Sequence, residues 1–124
     1  VADDSSVELT ASEGCLVARV SGELDYVSRP VLMDRLRLLI ARGSRFIVLD
    51  LSNVASCDSA GLNVLLLARL QADKRGARLV VACVPPQLRR MLEMTGADQV
   101  LSAYDTVAEA EAALCRIDRP EIRG

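Results

Sequence analysis

The chain has 124 residues, 51% of them hydrophobic but only 2% aromatic, with a net charge of −2 and no histidine. That length suits one domain, residues 1–124, whose single core must be built from Leu, Val, Ile and Ala. The charge excludes a general electrostatic pull toward nucleic acid or anionic membrane, and the scarcity of rings excludes a platform for stacking bases. Missing histidine removes Ser-His and Cys-His nucleophile pairs and most zinc sites.

In chain order, Val7-Glu8-Leu9-Thr10 alternates apolar and polar residues and predicts a strand. Ser12-Glu13-Gly14 supplies a turn into a second strand from Cys15 to Val20, so the two form a hairpin. Gly22-Glu23-Leu24-Asp25 reads as a tight polar loop, after which Ser28 can cap a helix with Pro30 in its first turn. Val31, Leu32, Leu36, Leu39 and Ile40 share one face of that helix, and Gly43 stops it. Phe46 to Leu51 is nearly all apolar, as a strand covered on both faces is. A loop from Ser52 to Cys57 then leads into a helix running to about Ala72, closed by Lys74-Arg75-Gly76. Arg69, Lys74 and Arg75 are expected in solvent.

Leu79 to Val84 predicts another buried strand. Pro85-Pro86 opens a helix carrying Leu88, Met91, Leu92 and Met94, with Gly96 as its stop, and Val100-Leu101 suggests a short strand. Thr106 and Glu109 have capping-box spacing for a last helix ending near Cys115, with 116–124 as a flexible tail beyond a core of about 7–115. The order implies an α/β fold: a small mixed sheet of about four to five strands with four helices packed mainly on it.

Cys15, Cys57, Cys83 and Cys115 lie far apart and form no CxxC pair; Cys83 and Cys115 sit where buried free thiols sit. No leader-like stretch precedes Asp3-Asp4 and no apolar run reaches spanning length, so a soluble, reducing, cytoplasmic setting is expected, without direct membrane insertion.

One stretch holds more polar residues than a helix start requires: Asp58-Ser59-Ala60-Gly61, between a buried strand and an apolar helix. Either Asp58 or Ser59 alone could accept from the free amides of the first turn. Gly61 lowers helix propensity there, which makes sense where another surface must approach the backbone closely. A phosphate on Ser59 would be tolerated at a helix start, yet would add about −1.5 to −2 charge beside Asp58. A hydrolytic serine is disfavoured, since the chain has neither the Gly-x-Ser-x-Gly elbow nor a histidine. Asp50 resembles the phosphoacceptor of receiver domains in position, but no acidic pair follows the first strands, and a loop-anchoring role is expected. After Ser59, Leu62, Val64, Leu65, Leu66, Leu67 and Leu70 wrap beyond one stripe, which fits either a helix buried on most sides or a core face plus a contact strip.

Four segments in register resemble the STAS family, whose best-known members are bacterial anti-sigma factor antagonists. They are Gly22-Glu23-Leu24-Asp25 with Ser28, "FIVLDLSNV", Asp58-Ser59-Ala60-Gly61-Leu62, and "PPQLRRMLEMTGADQVL". The resemblance implies a non-enzymatic regulator in which Ser59 is the phosphoacceptor, with Asp25, Ser28, Asp58, Ala60, Gly61, Leu62 and Asn63 around it at a partner surface. It also implies the partners: an anti-sigma factor that is a GHKL-type serine kinase, and a PP2C-type phosphatase. ATP and magnesium would belong to the kinase, so no cofactor is expected on this chain. Ala60 replaces the usual Ser or Thr, Asn63 stands where glycine is common, and Ser56-Cys57 replaces an aromatic-apolar pair. These departures keep a second role in view, a non-switching STAS subunit of a transporter or sensory assembly.

Overall fold

The computed structural model describes residues 6–12 and 15–118. The elements are β1 (Ser6–Ser12), β2 (Cys15–Leu24), α1 (Arg29–Ala41), β3 (Phe46–Cys57), α2 (Ser59–Lys74), β4 (Arg78–Ala82), α3 (Pro86–Thr95), a 3-10 turn (Ala97–Gln99), β5 (Ala103–Tyr104) and α4 (Val107–Asp118). The strands form one sheet in the order β1-β2-β3-β4-β5, antiparallel at the first pair and parallel thereafter. Because each crossover steps to the next neighbour in the same direction, and crossovers share one hand, α1, α2 and α3 fall on the same face.

That face holds the larger core. Ile47, Leu49 and Leu51 of β3 meet Leu36 and Leu39 of α1, Leu65 and Ala68 of α2, and Leu88 and Leu92 of α3 in one buried cluster. On the opposite face Phe46, Val48, Val80 and Ala82 pack under Ala110 and Leu114 of α4. Both faces of β3 and β4 are thus covered, which accounts for their near-continuous apolar runs. Of the predicted α1 face, Val31 lies outward at 36% exposure. Met94 is 84% exposed rather than part of the α3 core face. On α2, Leu62, Val64 and Leu65 are buried, Leu66 and Leu67 are half-buried, and Leu70 faces solvent, so the helix is mostly core. Arg69 pairs with Asp73 at 3.2 Å on the same helix.

Four expectations need correction. Residues 52–57 are not a loop: β3 continues to Cys57, and its buried positions after Leu51 are Val54 and Cys57, three apart. Register shifts opposite Arg19/Ser21 and Gly22/Glu23 insert extra residues and break the two-residue alternation by which strands are recognised. By the same pairing Gly22, Glu23 and Leu24 belong to β2 rather than to a loop. Val100-Leu101 is not a strand; Val100 closes the 3-10 turn, Leu101 is fully buried, and β5 begins at Ala103. Finally, α4 runs on to Asp118. Its start is as expected, with the Glu109 amide donating to Thr106 Oγ1 at 3.0 Å. The turn at Glu13-Gly14, the Cys115 side chain and the tail from 119 onward lie outside the described residues.

Asp50 anchors a bulged strand instead of a loop. Its Oδ1 accepts from the Ser52 amide at 3.0 Å and its Oδ2 lies 3.5 Å from Arg19 Nε. Burial pushes its carboxyl up, but the Ser52 hydrogen bonds, the Arg19 charge and the Cys83 thiol outweigh this and hold it below the usual 3.8. A depressed native pKa means the stabilisation is complete above the unfolded value and lost as pH falls through the native one. Asp50→Asn should therefore cost about 1–3 kcal/mol at neutral pH. In urea titrations the gap to the native protein should close as pH drops below about 4; a gap independent of pH would refute the charge-based account.

Gly61 shows why α2 can start where it does. A Cβ there would overlap the Leu24 carbonyl oxygen and lie 2.7 Å from the Leu24 carbonyl carbon. The obstacle is backbone, which cannot rotate away. Helix propensity alone favours Gly61→Ala by about 1 kcal/mol, whereas overpacking costs about 1–3 kcal/mol or more. The variant should lose about 2 kcal/mol in thermal or urea unfolding; a gain would show that the α2–β2 contact yields easily.

Candidate functional site

β2 and β3 end side by side, with Leu24 paired to Cys57. The first helical turns of α1 and α2 begin just beyond them, so the loop 25–28 and the start of α2 meet at the carboxyl end of the sheet. Backbone and side-chain bonds of Asp58 tie the two together. Its amide donates to the Leu24 carbonyl at 3.0 Å, its Oδ1 accepts from the Gly61 amide at 3.0 Å, and its Oδ2 accepts from the Tyr26 amide at 3.4 Å. Asp58 is the N-cap of α2, in extended conformation.

With the cap assigned to Asp58, Ser59 is the first helical residue and its side chain is exposed. Among the described residues none hydrogen-bonds its hydroxyl. The apparent redundancy of two capping residues is thus resolved: one caps, and the other presents a free hydroxyl. The amides of Ser59 and Ala60 are the remaining first-turn donors, which a helix start leaves unpaired. The close approach inferred from Gly61 comes from the chain's own Leu24.

The opposite loop is held from within. Asp25 Oδ1 accepts from the Ser28 amide at 2.9 Å, and Ser28 Oγ accepts from the Asp25 amide at 3.0 Å while donating to the Glu23 carbonyl at 2.7 Å. Ser28 occupies the N-cap position of α1 but makes no side-chain cap; its hydroxyl is turned back into the loop. The bond from the Ser28 amide holds the Asp25 carboxyl below its ordinary value.

Asp25 and Ser28 thus act on each other and shape the loop, while Asp58 joins the loop to α2. Gly61 is buried under Leu24, and Leu62 is 5% exposed in the core, so neither presents a side chain outward. Asp58, Ser59 and Asn63 do face solvent, and Ala60 is half-exposed. Sequence reasoning missed Tyr26 and Val27, which stand 78% and 83% exposed in the loop beside this surface. Two large apolar residues between the polar Asp25 and Ser28 were the available signal. It also missed Arg29, whose Nη2 donates to Asn63 Oδ1 at 3.0 Å, and Gln87, whose Nε2 donates to the Cys57 carbonyl at 3.2 Å and ties α3 to the end of β3.

The surface offers little chemistry of its own. Cys57 is buried beneath it, where desolvation and the Asp58 charge push the thiol up to about 12, so it stays protonated and inert. Burial and the neighbouring Asp50 raise Cys83 as well. Among the described residues no group of three or more His, Cys, Asp or Glu is placed to hold a metal. None of the described helices is long and apolar enough to cross a membrane.

The STAS domain family model matches residues 6–110. An anti-sigma F factor antagonist of Paenibacillus polymyxa is 33% identical over 105 residues, covering 84% of this chain and 90% of the relative. An anti-sigma-B factor antagonist of Staphylococcus aureus is 29% identical over 91 residues, covering 73% of this chain and 84% of the relative. Among solved structures, an anti-sigma factor antagonist from Mycobacterium paratuberculosis superposes with a TM-score of 0.81 at 29% identity, covering 90% of this chain and 94% of that one. The chain belongs to the STAS domain family, and the three relatives named above are anti-sigma factor antagonists.

Proposed function

We propose that this protein is an anti-anti-sigma factor that binds an anti-sigma factor, itself a GHKL-type serine kinase, and thereby releases a sigma factor. Phosphorylation of Ser59 ends the interaction, and a PP2C-type phosphatase restores it. The observation that carries this reading is the Ser59 hydroxyl, exposed and without a protein partner among the described residues, one position after a residue that already caps the helix.

In the transfer, Ser59 Oγ attacks the γ-phosphorus of ATP, its proton is lost, and ADP leaves. Asp58 is poorly suited to take that proton, since both of its carboxylate oxygens accept backbone amides. The base, the nucleotide and the magnesium are therefore assigned to the kinase. The exposed Tyr26 and Val27 supply apolar area of the kind that anchors interfaces. A phosphate beside them adds about −1.5 to −2 charge next to Asp58. A thousandfold loss of affinity needs only about 4 kcal/mol. Like-charge repulsion and desolvation at a closed interface are of that size.

Incubation with a cognate GHKL-type kinase and ATP, followed by mass spectrometric mapping, should place one phosphate on Ser59. Phosphate elsewhere would overturn the site. None from any cognate kinase would favour the non-switching subunit role. In calorimetry, Ser59→Asp should bind the anti-sigma factor at least about a hundredfold more weakly than Ser59→Ala; equal binding would count against the switch. Joint replacement of Tyr26 and Val27 by alanine should weaken binding about tenfold or more without lowering the melting temperature. Unchanged affinity would remove the loop from the interface.

A further inference from the structure

Arg29 is the first residue of α1 and reaches across to α2, where its Nη2 donates to Asn63 Oδ1 at 3.0 Å. Asn63 lies four residues after Ser59 on the same helix, so the two side chains stack on one face about 6 Å apart. The guanidinium thus lies one helical turn from the exposed hydroxyl. Arg19, Arg37, Arg69 and Arg89 each have a carboxylate partner within 4 Å: Asp50, Asp34, Asp73 and Asp105 respectively. Among the described residues Arg29 has no such partner and holds a neutral amide instead.

We propose that Arg29 is a phosphate clamp: when Ser59 is phosphorylated, its guanidinium leaves Asn63 and takes the phosphate. The proposal rests on Ser59 being the phosphoacceptor. On a phosphate the guanidinium meets full negative charge instead of an amide dipole, and its planar fork matches phosphate oxygens in pairs. Asn63 is exposed, so water replaces what it gives up. Pro30 follows Arg29 in the first turn, which fixes the backbone and leaves the swing to the arginine's own torsions. The clamp lays the phosphate against α2 as a fixed anion and sets Asn63 free. In this chain Arg29 and Asn63 form one device, in which the asparagine parks the arginine until the phosphate arrives.

The test is the phosphate's own titration, read by 31P NMR on the full chain with phosphoserine installed at position 59 by nonsense suppression, independent of any kinase. Among the described residues, the other charges at this end of the fold include Asp58, at the same helix start, Asp25, in the facing loop, and Glu23, at the end of β2 beside Asp25. These acids raise the phosphate's second ionisation from its ordinary value of about 6, so the clamp is read as a difference between variants. Arg29→Gln should raise the midpoint by about half a unit or more. Arg29→Lys, which keeps the charge but not the fork, should restore only part of that shift. Asn63→Ala should leave the midpoint as low as in the unsubstituted chain or lower, because the competing acceptor is gone. Arg35→Gln, an exposed arginine on the same helix, should leave it unmoved. Equal midpoints for Arg29→Gln and the unsubstituted chain, or an equal shift from Arg35→Gln, would overturn the clamp. Failure of every cognate kinase to label Ser59 while these shifts appear would overturn the phosphoacceptor reading and leave the clamp standing.

Discussion

The functional end of this fold depends on the Asp58 carboxylate, which accepts the Gly61 amide with one oxygen and the Tyr26 amide with the other. The first bond starts α2 and the second joins that helix to the loop after β2, while the Asp58 amide closes on the Leu24 carbonyl. N-capping is typically worth about 1 kcal/mol, so none of these contacts is large. Their importance is positional: with the cap provided one residue earlier, the hydroxyl at the first helical position is left out of the capping bonds. Gly61 completes the arrangement, because α2 can lie this close to β2 only where no side chain intervenes.

The sheet explains why the site stays in place when a partner presses on it. β2 and β3 are paired along their whole length, and both end in buried residues, Leu24 and Cys57, directly under the motif. Two register shifts in this pair twist the strand ends, and Asp50 steadies the first of them by accepting the Ser52 amide. Half-exposure of Arg19 screens its ion pair, so the backbone bond carries more of that stabilisation than the charge pair does. From α3, Gln87 secures the last carbonyl of β3. The backbone beneath the motif is therefore held by strand pairing and by hydrogen bonds from α2 and α3.

Much of this was legible before any coordinates. Apolar faces marked α1 and α3, capping-box spacing marked the start of α4, and apolar runs marked α2 and the cores of β3 and β4. The end of β3 was not legible, since bulges moved its buried residues to a spacing of three, which looks like neither strand nor helix. Ser28 illustrates another limit. Its position fits a cap, but the bond its hydroxyl makes depends on where Glu23 and Asp25 turn, and no local pattern encodes that. Tyr26 and Val27 lie in a short loop, whose residues have no periodicity to say which way they face. Only the hydrogen-bonded turn around Asp25 shows that they point out.

The departures from the family's usual motif take on a different meaning once the contacts are known. Ala60 is half-exposed and carries no hydroxyl, so Ser59 is the one hydroxyl in the Asp58–Gly61 motif. Asn63 has a partner, Arg29, and the pair bridges the two helices that flank the site. A glycine at 63 would leave that arginine without its present acceptor; an asparagine holds it one turn from the hydroxyl at little cost in stability. An exposed bond from a guanidinium to a neutral amide, screened by solvent, contributes roughly 1 kcal/mol or less, weak enough that a dianion could displace it. Under the proposed switch, a surface that meets a partner in one state and holds a phosphate in the other needs a contact of that intermediate strength.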